Sequence, residues 1–183
     1  MPYGGGVQEG DFSVIDVETT GGSMDNIPVG FELLLTGARC GQTYAMYTAA
    51  PESLAQLADF LASFAGVVVT YNGARFDLPV LDDHFGRTLG RRLELGRHYD
   101  LMVEIERAAN RRISLDRLCL YTFGEEKVTL GHHSHYGRIW KEDPHRLADY
   151  NRRDLDLTYE LFMRVLREEP LFLGDTTVVL PAP

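Results

Sequence analysis

Three strand-like stretches precede the first helix-like one, and after that helix and strand patterns alternate. No other feature of this 183-residue chain restricts its fold as much. Phe12 to Val17 predicts a short strand running into an acidic turn, Glu18-Thr19-Thr20-Gly21-Gly22. Val29 to Leu35 and Thr43 to Thr48 predict two more strands, with Gly37 and Gly41 marking the turn between them. Pro51 then opens an amphipathic helix in which Leu54, Leu57, Ala58 and Leu61 recur at spacings of three and four, and Gly66 ends it. Val67-Val68-Val69-Thr70 is a β-branched run suited to a buried strand. Asp77 and Pro79 mark the next helix start, Tyr99 to Met102 a short strand, and Ser114 a helix that Gly124 stops. Asp143-Pro144 reads as a cap and a first helical position, opening a long helix that runs to about Glu168. The order predicts an α/β sandwich with a mixed sheet and leaves the strand order open.

The length suits one domain with a real core, and no internal linker or repeat divides residues 1–183. The longest apolar stretches are far too short to cross a bilayer, so no membrane partner is expected. The first ten residues, MPYGGGVQEG, do not read as a signal peptide, which points to the cytoplasm. Cys40 and Cys119 form no CxxC pattern and are expected as reduced thiols, not a disulfide or zinc site.

Net charge is −9, unlike a typical nucleic-acid binder, but it is unevenly spread. Residues 1–85 carry eleven acids against Arg39 and Arg75. Between 87 and 117, eight arginines (Arg87, Arg91, Arg92, Arg97, Arg107, Arg111, Arg112 and Arg117) face five acids. That stretch is either a local basic surface or a solvated face.

Asp16 and Glu18 are two apart on a strand, so both point to one face. Two carboxylates so placed repel, and a divalent cation with oxygen ligands, magnesium or manganese, relieves the repulsion. Asp77 follows a strand and begins a helix, where an acid also serves as a cap. Asn72 suits the turn before it. Tyr150 and Asp154, four apart on the last helix, share a face, while Asp149 and Asp156 fall on other faces. The run Gly131-His132-His133-Ser134-His135 suggests a metal site, but adjacent loop histidines rarely converge without further ligands. It is expected as a solvated or substrate-edge loop.

Taken in order, Asp16-Val17-Glu18-Thr19-Thr20-Gly21, Asn72-Gly73-Ala74-Arg75-Phe76-Asp77 and Tyr150-Asn151-Arg152-Arg153-Asp154 resemble the three motifs of the DEDD 3′–5′ exonucleases of the ribonuclease H-like (DnaQ-like) superfamily. Ser114-Leu115-Asp116-Arg117-Leu118 and Trp140 look like the branch related to family B polymerase proofreading domains. The likeness spans about residues 11–168 and leaves 169–183 as a tail. Tyr150 stands four before the last aspartate, as in the tyrosine (DEDDy) subtype, whereas the histidine subtype would need His where Asp149 stands.

The resemblance implies a five-stranded mixed sheet flanked by helices. It also implies hydrolysis at the 3′ end of single-stranded DNA or RNA with two divalent cations, Mg2+ or Mn2+. One cation would sit between Asp16, Glu18 and Asp154, and the other near Asp16 and Asp77. Tyr150 would orient the attacking water. Thr19, Asn72 and Phe76 would meet the substrate, although Phe76 is better suited to the core than to stacking on a base, and Asn72 could instead orient Asp77. Two other classes stay open: a catalytically silent binding or scaffold module of the same fold, and a small-nucleotide phosphohydrolase.

Overall fold

The structure, a computed structural model, describes residues 7, 10–124, 130, 131 and 133–183. In chain order the strands are β1 (Phe12–Gly21), β2 (Phe31–Cys40), β3 (Thr43–Thr48), β4 (Val67–Thr70), β5 (Arg97–Asp100), β6 (Leu171–Phe172) and β7 (Thr177–Val178). The helices are α1 (Pro51–Ser63), α2 (Asp77–Leu89), α3 (Leu101–Ala109), α4 (Leu115–Phe123), α5 (Tyr136–Glu142) and α6 (Pro144–Leu166).

Five strands form one sheet in the order β3-β2-β1-β4-β5. β1, β2 and β3 pair antiparallel, while β4 runs parallel to β1 and to β5. The sheet is therefore mixed, as the resemblance implies. All four residues of β4 are buried, which is what a parallel strand covered on both faces requires.

Side-chain alternation along β1 sorts the core into two layers. Phe12 and Val14, with Val67 and Val69, pack against Leu155, Leu161 and Phe162 of α6 and Leu118 of α4. Ile15 and Val17, with Val68, pack against Leu54, Leu57 and Leu61 of α1 and Val80, Leu81 and Phe85 of α2. By the same period of two, Asp16 and Glu18 continue the row of Phe12 and Val14 toward α6. A third cluster, Leu35, Tyr136, Ile139 and Leu147 with Tyr150 at its edge, seats α5 over β2.

Several expected boundaries move. β1 runs through the acidic segment to Gly21, with the pairing to β2 shifting register between Glu18 and Thr19. Gly37 lies inside β2, opposite Asp16, and only Gly41, with φ 56°, marks the turn. β5 ends at Asp100, not Met102, because the Asp100 carboxylate accepts from the Met102 and Val103 amides and starts α3 there. The last helix stops at Leu166, and Glu168 adopts a left-handed φ of 55°. Ser114 and Asp143 cap α4 and α6 as their positions suggest. No helix among the described residues is long and apolar enough to cross a membrane.

Candidate metal centre

The middle of α6 lies across β1 and β2. Asp154 is buried on the helix face that also carries Tyr150 and Asn151. One carboxylate oxygen each from Asp16, Glu18 and Asp154 can be chosen so that all lie within 4.8 Å of one another. It is the only group of three or more such ligands among the described residues, and it contains no histidine or cysteine. Glu18 and Asp154 are buried, and Asp16 is half-buried. Three carboxylates so close, with hard oxygen donors throughout, fit a divalent cation of the magnesium or manganese kind.

Asp77 stands apart from that trio. It is buried at the first turn of α2, and its Oδ1 accepts from the Val17 amide at 2.9 Å. The capping reading fails, since the residue at the N-cap is Phe76 and no side chain caps α2. Burial is the chief cause that pushes the Asp77 carboxyl up to about 7. Its main-chain hydrogen bonds oppose the rise, and the negative charges of Asp100 and Asp154 add to it. In the metal-free protein the unfolded chain therefore releases this proton near 4 and the folded chain near 7, so stability falls as pH rises through that window. Asp77→Asn keeps the acceptor for Val17 and removes the charge. It should leave the melt in EDTA unchanged at pH 4 and raise stability at pH 8 by up to about 4 kcal/mol. A gap that does not grow with pH would show that Asp77 ionises normally.

Tyr150 is half-buried, with its ring edge-on to Tyr136 at 5.8 Å between centroids. Burial first, then Asp154 and more weakly Glu18 and Asp16, hold its hydroxyl well above the usual phenol range, against a hydrogen bond with Tyr136. At neutral pH the group is a neutral hydroxyl in the field of all three carboxylates.

Thr19 is buried and Phe76 half-buried. Both line a cleft of about 490 Å³ with Gly22, Met24, Phe31 and Ser134. Phe76 also packs edge-on to Phe31, at 5.1 Å, so it serves core and cleft together. The Asn72 Oδ1 accepts from Arg112 at 2.7 Å, and its left-handed backbone, φ 67°, donates to Asp100 Oδ1 at 2.9 Å. Asp100 Oδ2 takes the Ala74 amide at 2.8 Å and the Thr70 hydroxyl at 3.1 Å.

Five arginines of the 87–117 stretch are held by acids. Arg87 pairs with Asp83, Arg91 with Asp59, Arg92 with Asp82, Arg107 with Glu104 and Arg111 with Asp175. Arg112 reaches a motif residue, Asn72. Asp156, on another face of α6, pairs with the buried Arg39 at 2.9 Å and accepts from Tyr44. His132 lies outside the described residues, while His135 and His145 are exposed. Two residues were not singled out from the sequence, Asn151 and Asp100. Asn151 stands three before Asp154 on the same helix face, and that spacing was its one signal.

A family model for the RNase H superfamily matches residues 14–129. The chain belongs to the RNase H superfamily. The matched stretch carries Asp16, Glu18 and Asp77 and stops short of α6. Among solved structures, this RNase H-like chain is similar to the family B DNA polymerase of the hyperthermophilic archaeon Pyrobaculum calidifontis. The TM-score is 0.67 at 20% identity over 85% of this chain. The match covers 24% of the polymerase, so the chain spans about a quarter of that protein's length. No curated protein sequence matches the chain.

Proposed function

We propose that the protein is a metal-dependent 3′–5′ exonuclease of the tyrosine (DEDDy) subtype, hydrolysing single-stranded nucleic acid from its 3′ end. One observation carries the reading: Asp16, Glu18 and Asp154, drawn from a strand and a distant helix, converge within 4.8 Å beside the Tyr150 hydroxyl. The RNase H-like fold supports a nuclease in general terms, and the order of the three motifs supports the narrower activity.

Asp16, Glu18 and Asp154 would hold one divalent cation, with Asp77 completing a second site next to Asp16. When bound, the cations would supply an activated water and neutralise charge on the scissile phosphate. The chain's own residues do the rest. The Tyr150 hydroxyl, kept protonated, orients the attacking water by a hydrogen bond instead of abstracting its proton. Thr19 and Phe76 border the cleft at the end of β1, where the terminal nucleotide would lie. The Val17 amide fixes the Asp77 carboxylate through its Oδ1.

The test uses oligonucleotides labelled at either end, incubated with Mg2+, Mn2+ or EDTA. The expected result is stepwise loss from the 3′ end with either metal and silence in EDTA. Full cleavage after rigorous chelation would remove the metals from the mechanism. Hydrolysis of free nucleotides but not of strands would identify a small-nucleotide phosphohydrolase. Binding without cleavage at any metal concentration would identify a silent module.

A further inference from the structure

Before a cation arrives, carboxylates packed as closely as Asp16 and Glu18 splay apart or take up protons unless another group holds them. Asn151 sits between them and is buried to 1% exposure. Its Nδ2 lies 2.8 Å from Asp16 Oδ2, 3.2 Å from the Asp16 main-chain oxygen and 3.5 Å from Glu18 Oε1. Ionised carboxylates only accept, so the amide nitrogen must face them and the amide oxygen must turn toward β2. Gly37 lies there, paired with Asp16 across the ladder. A Cβ on Gly37 would fall 1.9 Å from Asn151 Oδ1 and 2.7 Å from Leu155 Cδ1. Any side chain at that strand position would displace the amide.

We propose that Asn151 is a positioning residue that aligns Asp16 and Glu18 for a divalent cation, and that residue 37 is glycine because this amide occupies its side-chain space. The proposal rests on the metal-site reading above. Asn151 holds no metal itself and acts through the two carboxylates. A neutral donor suits this role. A cationic side chain would compete with the metal for the same oxygens, and another acid would add to the repulsion. The amide orients the pair and leaves its negative charge intact for the cation.

The experiment is Mn2+ titration by calorimetry on the wild-type protein, Asn151→Ala, Asn151→Leu and Gly37→Ala, with melting in EDTA to establish that each is folded. Leucine is close to asparagine in size and keeps the packing if alanine collapses the site. Gly37→Ala retains every polar group and carries the test if both Asn151 variants unfold. Affinity for Mn2+ should weaken by roughly 10- to 100-fold in each folded variant, the usual cost of losing a group that orients a metal ligand. The metal concentration for half-maximal cleavage should rise by the same factor, while the rate at saturating metal stays within a few fold of wild type. A purely structural asparagine would lower the melt and leave the metal requirement alone. Wild-type affinity in a folded Asn151 variant overturns the role of Asn151 and leaves the metal site standing. Absence of Mn2+ binding by the wild-type protein overturns the site and the role of Asn151 together. Weakened binding in the Asn151 variants with unchanged binding in Gly37→Ala overturns the account of the glycine.

Discussion

Replacing Asp16 or Asp154 by alanine is expected to abolish turnover while the protein stays folded. Each contributes an oxygen to the trio within 4.8 Å, and a cation held by the remaining two carboxylates would lose both affinity and placement. Loss of one such ligand should cost at least about 4 kcal/mol in the transition state, or roughly a thousandfold in rate. The fold should not suffer. In EDTA the three acids repel one another, so removing one relieves charge repulsion, and the melt should match or exceed wild type. Neither side chain is part of the apolar layers that Phe12, Val14, Leu155 and Phe162 build around them. Single-turnover cleavage at saturating Mn2+, with circular dichroism melts in EDTA, decides the matter. A variant that unfolds, or one that keeps substantial activity, would make that residue structural and not a ligand.

Tyr150→Phe should separate water positioning from metal binding. The ring stays, so its contact with Tyr136 and the Leu35–Ile139–Leu147 cluster persists. The carboxylates are untouched, so Mn2+ affinity should remain near wild type. The rate should fall by roughly ten- to a thousandfold, the range for losing one positioned hydrogen bond of about 1.4–4 kcal/mol. Because the hydroxyl is protonated at neutral pH, its loss should not introduce a new ionisation near 7. Raising the pH should recover part of the rate if hydroxide supply has become limiting. Wild-type rates across pH would take Tyr150 out of the mechanism.

The residues that converge were legible because their geometry is local. A period of two puts Asp16 and Glu18 on one face, and a spacing of four does the same for Tyr150 and Asp154. The run Val67–Thr70 reads as buried from its side chains alone, since β-branched residues without alternation suit a strand covered on both sides. What was missed depends on pairing between distant segments. Gly37 resembles a turn glycine until β2 is set against β1, when it proves to be the clearance for Asn151. Asp77 resembles a cap until β1 offers it the Val17 amide. The acids that pair with Arg91, Arg92 and Arg111 come from α1, α2 and the C-terminal segment, which spacing along the arginine stretch cannot reveal. Helix α3 went unread because Asp100 looks like strand continuation until its carboxylate turns back on the following amides.

That carboxylate also ties two separate segments to one buried group. Asp100 is buried and takes the amides of Asn72 and Ala74 from the loop before α2, and those of Met102 and Val103 from the start of α3. Neither segment can lift away without stranding the other's share of a buried negative charge. The four amide protons should therefore exchange with deuterium as one cooperative unit, at a rate close to that of global unfolding and far slower than a surface loop. The short connection that presents Asp77 would then share the lifetime of the central sheet.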